Sequence, residues 1–288
     1  VGLPDIKGRE QILKVHLKKL PNTISVDARA LARGTPGFTG AQLANLVNEA
    51  ALFAARRNKR SVDMNDFEDA KDKLYMGPER KSMVIREEER RATAYREAGH
   101  ALVAELLPGT DPVHKVTIMP RGFALGVTWQ LPEHDQTSMY KSKMLNDIAI
   151  LFGGRIAEEV FINQMSTGAS NDFERATQIA RQMVTEYGMS KKLGPIQFSS
   201  SSNGQVFLGK DMQGDPEYSG QIAYEIDKEV QRIIKEQYER CKDILLEHKS
   251  QLILIAESLL TEETLVAEQI QSLFHDGVLP EVDYDGAK

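Results

Sequence analysis

The segment from Tyr95 to His100 holds the residue types most able to do chemistry. Zinc peptidases commonly carry two histidines four residues apart on one helix, with a glutamate directly after the first. Four residues are just over one turn, so both imidazoles reach one metal, while the glutamate deprotonates the water bound to it. Glu97 and His100 stand in the positions of the glutamate and the second histidine. Taken alone, a glutamate and a histidine at this spacing are also typical of an ordinary solvated helix face.

Arg96 stands where that pattern has its first histidine. A guanidinium has no lone pair to donate and stays charged at any usable pH. Because positions 96 and 100 share a helix face, the cation would lie beside the metal position, and we expect metal binding to be weak or absent. The other histidines lie on other segments, and their spacing supplies no replacement ligand: His16, His114, His134, His248 and His275.

Length and composition describe an ordinary soluble chain of about two domains. The 288 residues are 41% hydrophobic and 27% charged, and 36 Lys and Arg against 42 Asp and Glu give a net charge of −6, which argues against nucleic-acid binding. The longest apolar stretch, near Ile148–Phe152, is far shorter than the roughly 20 residues that span a bilayer. No signal sequence is predicted. The single cysteine, Cys241, excludes an internal disulfide and favours a reducing compartment.

Hydrophobic periodicity predicts a small four-helix domain over residues 1–76 and a linker over 77–86. One helix begins at Thr39-Gly40-Ala41-Gln42, a capping box in which the threonine and glutamine side chains bind free backbone amides. The helices are expected at Arg9–Leu20, at Asp27–Arg33, from Thr39 and from Asp63. A domain of this size is marginal alone, so we expect it to dock on a larger one.

The hydrophobic pattern over residues 87–280 predicts a mostly helical second domain with a short β hairpin. A flexible acidic tail is expected at 281–288. The fold class is therefore mainly α. The hairpin is expected from two β-branched runs, Val113–Met119 and Leu125–Leu131. Helices are expected at Glu87–Leu107, Tyr140–Phe152, Arg155–Ile162, Asp172–Tyr187 and Gln221–Lys249, with two shorter ones to about Phe274. A break at Gly153-Gly154 and a loop at Ser199–Gly220 separate some of them.

From Gly2 to about Leu279 the chain resembles the FtsH family, membrane-anchored ATP-dependent zinc proteases of the AAA+ class. The matching blocks, in order, are GTPGFTGA at 34–41, LANLVNEAA at 43–51, AYxEAGHA at 94–101, DPVHKVTI at 111–118, GGRxAEE at 153–159 and STGASND at 166–172. Several long blocks in one order make the resemblance specific. It covers nearly the whole chain.

The resemblance implies that residues 1–76 are the C-terminal helical lid of an AAA+ module and that 87–280 are a zinc metallopeptidase domain. The phosphate-binding G-x-x-x-x-G-K-[ST] loop is absent from the sequence, so ATP is expected only for a longer parent protein. The family further implies a homohexamer on the cytoplasmic side of a bacterial inner membrane, anchored by a segment outside this sequence. Unfolded or membrane proteins are the implied substrates.

The same resemblance assigns site residues. It makes Glu97 catalytic, His100 and Asp172 zinc ligands, and Arg96 the substituted first-ligand position. From the residues alone, Asp172 also fits an acid that stabilises the start of a helix. Glu158 is a rival third ligand, because many zinc peptidases take a glutamate from a second helix.

Two further assignments rest on family analogy. Gly40 and Ala41 match the part of the lid that faces nucleotide, although a plain helix start also explains them. The run Leu125, Gly126, Val127 and Thr128 is the expected substrate strand, since an edge strand can pair with an extended peptide without reading its side chains. An ordinary structural hairpin is the alternative, and Trp129 is expected to serve packing.

Two functional hypotheses follow. In the first, the chain is the cytosolic part of an ATP-dependent zinc endopeptidase that degrades unfolded or membrane proteins, impaired here by Arg96. In the second, it is a catalytically dead pseudoprotease subunit that oligomerises and binds substrate. Whether Arg96 is natural or a laboratory substitution stays open.

Overall fold

Two separate hydrophobic cores organise the chain in the computed structural model, which describes residues 2–20, 23, 26–80, 83, 85–121, 124–132, 138–198 and 219–280. The N-terminal unit consists of α1 (Ile6–Leu17), α2 (Ala28–Arg33), α3 (Gly40–Arg56) and α4 (Met64–Met76). The C-terminal unit contains α5 (Glu87–Leu106), α6 (Lys141–Ala157), α7 (Ser170–Thr185), α8 (Gly220–Glu247), α9 (Lys249–Glu262) and α10 (Ala267–His275). The mainly α fold class is confirmed.

Side-chain caps set the starts of the N-terminal helices. The capping box predicted from the sequence is present, because Gln42 N donates to Thr39 Oγ1 at 3.2 Å and Thr39 N donates to Gln42 Oε1 at 2.9 Å. Asp5 caps α1 by accepting a hydrogen bond from Gly8 N at 2.7 Å. That cap explains why α1 begins at Ile6 rather than at the expected Arg9.

A small antiparallel sheet completes the C-terminal unit, with strands β1 (Val113–Thr117), β2 (Val127–Gln130) and β3 (Thr264–Val266) in the order β2-β1-β3. The predicted hairpin is confirmed as the β1–β2 pair. The sequence prediction missed β3, because three residues between two helices carry almost no periodicity. The predicted second strand was too long: Leu125 and Gly126 precede β2.

Helix α6 runs without a break through Gly153 and Gly154, so the predicted interruption there was wrong. The reason is a tertiary contact between α6 and α5. A Cβ on Gly153 would lie 2.6 Å from the carbonyl oxygen of Gly99, which shows how closely the backbones of α5 and α6 approach. Glycine at positions 99 and 153 permits this close crossing of the two helices. After Ala157 the chain continues as one π-helical turn, Glu158–Ile162.

We predict that Gly153→Ala lowers the free energy of unfolding by about 1–3 kcal/mol, because the new methyl group would overlap the backbone of Gly99. Gly220→Ala is the matched control at another helical glycine, since no atom lies within 4 Å of its added Cβ. Denaturant titrations compare the two variants. Equal stability would show that α5 and α6 separate without cost.

The N-terminal unit docks on the sheet through α4, whereas the sequence left the relative orientation of the two units undetermined. Lys115 Nζ of β1 lies 2.6 Å from Asp72 Oδ2 of α4, and this carboxylate is only 4% exposed. Next to it, the rings of Tyr75 and Trp129 are in contact, tilted by 43° with their centroids 4.6 Å apart. The predicted packing role of Trp129 is thus visible at an interface between the two units.

His114 lies inside this interface. It is the unpaired residue of a bulge in β1, and its ring meets the Trp129 ring edge-on at 4.7 Å. Burial, with a contribution from the nearby cations of Lys71 and Lys115, lowers the pKa of His114 to about 4, while the Glu68 carboxylate at 3.9 Å acts in the opposite direction. His114 is therefore neutral at physiological pH.

We predict that acid weakens the structure through His114. Because the pKa of His114 falls from 6.5 to about 4 on folding, the unfolded chain binds the proton more tightly, and the free energy of unfolding drops as pH falls from 6.5 toward 4. Between pH 7 and pH 5, urea titrations should show a loss about 1–2 kcal/mol larger for the original chain than for His114→Phe. Other titrating groups, Asp72 included, are the same in both proteins. Equal losses would contradict this assignment.

Some sequence predictions fall outside the described residues. These are His134, the tail at 281–288, parts of the linker, and the predicted loop at Ser199–Gly220 apart from its last two residues. Ser219 caps α8, which begins at Gly220. None of the helices in the described ranges combines enough length and apolar character to cross a bilayer.

Candidate active site

One cleft of about 940 Å³ in the C-terminal unit collects most of the predicted site residues. They are Arg96, Glu97 and His100 from α5, Leu125, Gly126, Val127 and Thr128 in and before β2, and Asp172 from the first turn of α7. Gly40 and Ala41 are not among the residues that line the cleft, since they form the first turn of α3 in the N-terminal unit. The structure therefore brings together the predicted peptidase residues and leaves the predicted lid residues apart.

The polar residues of α5 lie in its most buried section. Every residue from Thr93 to Ala104 is buried, because other elements of the C-terminal unit surround this part of the helix. A buried ionisable side chain needs hydrogen-bond or charge partners to offset its lost hydration. The hydrogen-bond and charge partners of Arg96, Glu97 and His100 therefore determine how these side chains are oriented.

Arg96 is bound by a buried carboxylate. Its Nε donates to Glu158 Oε1 at 2.8 Å, and its Nη2 donates both to the same oxygen and to Ser166 Oγ, the latter at 2.6 Å. Arg96 is 9% exposed and Glu158 only 1%. Ser166 also supports Glu158, donating from its backbone N to Oε2 at 3.1 Å. We name this set of Arg96, Glu158 and Ser166 the arginine clamp.

The local backbone makes room for the arginine clamp. Glu158 opens the π-helical turn after α6, and Ser166 caps the short 3₁₀ turn before α7. A Cβ on Gly168 would overlap the Arg96 guanidinium, so glycine at this position leaves the guanidinium room to occupy its place beside Glu158. Sequence analysis missed the roles of Ser166 and Gly168. Their signal was the STGASND block, whose small residues stand directly before Asp172.

His100 is oriented as a metal ligand usually is. Its Nδ1 lies 2.8 Å from the carbonyl oxygen of Ile150 and must donate to it, so Nε2 is the nitrogen that faces Asp172 Oδ2 at 3.6 Å, as a donor in the charged ring and with a lone pair in the neutral ring. Burial acts to lower the pKa of His100, but the Asp172 carboxylate and the charge of Glu97 outweigh it and raise the pKa. A Cβ on Gly154 would overlap this imidazole, so the space above Nε2 depends on that glycine.

Glu97 is held against the sheet. Thr128 Oγ1 of β2 donates to Glu97 Oε2 at 2.8 Å and lies 3.1 Å from the Glu97 carbonyl oxygen. Burial raises the pKa of Glu97, while His100, Thr128 and Arg96 act in the opposite direction. Thr128 was predicted only as part of a substrate strand, and its hydroxyl adds a contact with the predicted catalytic residue.

The residues present do not fit a catalytic zinc ion. Such a site takes three protein ligands, and only His100 Nε2 and Asp172 Oδ2 face each other here. Glu158, the rival ligand from the sequence, is engaged by the Arg96 cation. Within the described part of the chain, no three His, Cys, Asp or Glu side chains are arranged to hold a metal ion.

Comparison with known proteins defines the class of both units. Residues 25–69 match the family model described as the AAA+ lid domain, and residues 83–273 match the model described as Peptidase family M41. A peptidase domain preceded by an AAA+ lid is the class that fold and cleft define. The chain belongs to peptidase family M41 and, within it, to the FtsH family. The resemblance seen in the sequence is confirmed.

Similar proteins carry the name ATP-dependent zinc metalloprotease FtsH. The protein of Staphylococcus haemolyticus is 63% identical over 288 residues, which are 100% of this chain and 40% of the relative. That of Cupriavidus metallidurans is 62% identical over 273 residues, 95% of this chain and 42% of the relative. That of Bacillus subtilis is 53% identical over 284 residues, 99% and 45%. The chain thus spans less than half the length of these relatives.

We predict that Glu158→Gln lowers the free energy of unfolding by about 3–5 kcal/mol, because it leaves the buried Arg96 cation without a counter-ion. Glu159→Gln is the matched control: the neighbouring carboxylate accepts only the Tyr238 hydroxyl among the hydrogen bonds described for it, and its loss should cost about 1 kcal/mol. The double variant Arg96→Met with Glu158→Met should recover most of the stability. Equal effects at 158 and 159 would disprove a charge-bearing arginine clamp.

Proposed function

We propose that this chain is the lid and peptidase part of an ATP-dependent zinc metalloprotease subunit whose hydrolytic centre is disabled by Arg96. One observation carries the proposal: the Arg96 guanidinium, bound to Glu158, stands at the first-ligand position of an otherwise complete peptidase motif. A guanidinium offers no lone pair to a metal. That Glu97, His100 and Asp172 line the same cleft as Arg96 supports the proposal.

The proposed substrate is an extended polypeptide segment. Strand β2 is at one end of the three-stranded order, so its outer backbone edge has no partner strand among those described. The same strand reaches Glu97 through Thr128. An edge strand beside a catalytic group can align a peptide by main-chain hydrogen bonds without selecting its side chains. Such recognition suits unfolded proteins.

The family supports the remaining parts of the proposal. ATP dependence is proposed for a longer protein, because the relatives bear that name and residues 25–69 match an AAA+ lid. A homohexamer and anchoring on the cytoplasmic side of a bacterial inner membrane are proposed as properties typical of this family. Gly40 and Ala41 are proposed to face the nucleotide, and zinc is the proposed cofactor of the active parent.

A second candidate is a pseudoprotease subunit that binds unfolded segments without cutting them. The arginine clamp favours it, because Arg96 is accommodated by three hydrogen bonds and a counter-ion rather than merely replacing a ligand. In this case the edge of β2 would still capture peptides. The two candidates differ in what happens when the first ligand is restored.

We predict that Arg96→His binds about one zinc per chain and cleaves an unfolded protein such as casein, whereas the original chain does neither. The imidazole supplies the missing lone pair, and the freed Glu158 carboxylate is placed to accept from its other ring nitrogen. Zinc is measured by atomic emission on the dialysed protein, and cleavage by the release of soluble peptides.

Two variants control this experiment. Arg96→Gln removes the cation without adding an imidazole and should bind no zinc. Arg96→His with Glu97→Gln should bind zinc and lose cleavage, because the general base is gone. A folded Arg96→His protein without zinc would disprove the proposed site. A zinc-loaded protein that captures casein but never cleaves it would select the pseudoprotease.

A further inference from the structure

Four rings form a continuous column across the interface between the lid and the peptidase unit. The column runs from Phe38 through Tyr75 of α4 to Trp129 of β2 and ends at His114 of β1. Adjacent centroids are 4.8 Å apart for Phe38 and Tyr75, 4.6 Å for Tyr75 and Trp129, and 4.7 Å for Trp129 and His114. These spacings are those of direct aromatic contacts.

On the lid side, the column holds the turn that leads into α3. Phe38 directly precedes Thr39, the N-cap of that helix. The Tyr75 hydroxyl donates to the carbonyl oxygen of Pro36 at 3.3 Å. Tyr75 is therefore tied both to the start of α3 and to the peptidase sheet.

On the peptidase side, the column ends on the strand that holds Glu97. Neighbouring residues of a strand point to opposite faces. Accordingly, Trp129 meets Tyr75 of the lid, whereas Thr128 donates to Glu97 Oε2 at 2.8 Å. Strand β2 thus lies between a lid ring on one face and the proposed catalytic carboxylate on the other.

The ion pairs of the interface act elsewhere on the sheet, whereas the Lys71 ammonium of α4 lies over the Trp129 ring, 5.9 Å from its centroid. Asp72 binds Lys115 of the central strand β1, and Glu79 binds Arg121 beyond it. Strand β2 has only four residues and pairs with β1 along one edge. A short edge strand of this kind is weakly fixed by backbone pairing alone. Its contact with Tyr75 is therefore well placed to set its position.

We propose that Tyr75 is a positioning residue for the peptidase site: the docked lid, acting through Trp129 and Thr128, holds Glu97 in its catalytic orientation. The kinetic part of this inference rests on the proposed peptidase function, whereas the structural part does not. Undocking of α4 should release β2 and loosen Glu97. By the same linkage, a ligand that orders the cleft should strengthen docking of the lid.

The chain offers a direct probe, since Trp129 is its single tryptophan. In the full chain, Tyr75→Leu should shift Trp129 emission to the red and raise acrylamide quenching severalfold, because the indole loses a covering ring. Tyr75→Phe keeps that ring and should retain the original signal. Phe53→Leu, the same kind of change at an aromatic residue packed on the lid core, is the matched control and should leave Trp129 unchanged.

Hydrogen exchange tests the next step without zinc or cleavage. In Tyr75→Leu, amides of β2 and of α5 around Glu97 should exchange severalfold faster, whereas Tyr75→Phe and Phe53→Leu should match the original chain there. Unchanged Trp129 fluorescence, or changed fluorescence with unchanged exchange in β2, would overturn the proposal. If circular dichroism shows that Tyr75→Leu is unfolded, Tyr75→Met, which keeps more of the buried volume, makes the same test.

The kinetic test uses Arg96→His as background. Adding Tyr75→Leu should lower kcat roughly ten- to a hundredfold, the scale of a misplaced catalytic group, while zinc content stays at the level of Arg96→His and Tyr75→Phe restores kcat. Unchanged kcat in an active Arg96→His protein would overturn the role of Tyr75 in catalysis. If Arg96→His itself binds no zinc, the proposed function fails, and fluorescence and exchange still decide whether the lid holds β2.

Discussion

The burial of one cation, Arg96, against one carboxylate, Glu158, determines the state of the whole cleft. Neither charge can stay in the interior alone, and among the described residues the hydrogen bonds that offset the lost hydration come from the pairing of the two and from Ser166. The space that we propose for the first metal ligand is therefore filled by a satisfied ion pair. Glu97, His100 and Asp172 still line the cleft, but the set of metal ligands that we propose for the active parent is incomplete.

Helix α5 is the common frame of the site. Its close backbone contact with α6 at Gly99 and Gly153 lets the carbonyl of Ile150 reach the His100 ring. The same helix presents Glu97 to Thr128 of β2. One tightly packed helix thus positions Arg96, Glu97 and His100. Glycine rather than alanine stands where this helix crosses α6, because the two backbones are in contact there.

The sequence predicted what depends on local patterns and on family blocks. The capping box at Thr39, the helices of both units and the proximity of Glu97, His100 and Asp172 were within reach. The continuity of α6 was not, because a glycine pair reads locally as a stop and only the contact with Gly99 explains it. The pairing of Arg96 with Glu158 and the ring contact of Tyr75 with Trp129 join distant segments, and no short-range pattern encodes them.

The glycines around position 96 carry a consequence for assemblies. Gly154 and Gly168 leave the volume beside this side chain open to whatever residue stands there, and the position itself is almost hidden from solvent. An exchange of arginine for histidine therefore leaves the outer contour of a subunit untouched. If the chain assembles as proposed, copies with arginine and copies with histidine at position 96 would fit the same oligomer, and its hydrolytic activity would depend on the ratio of the two.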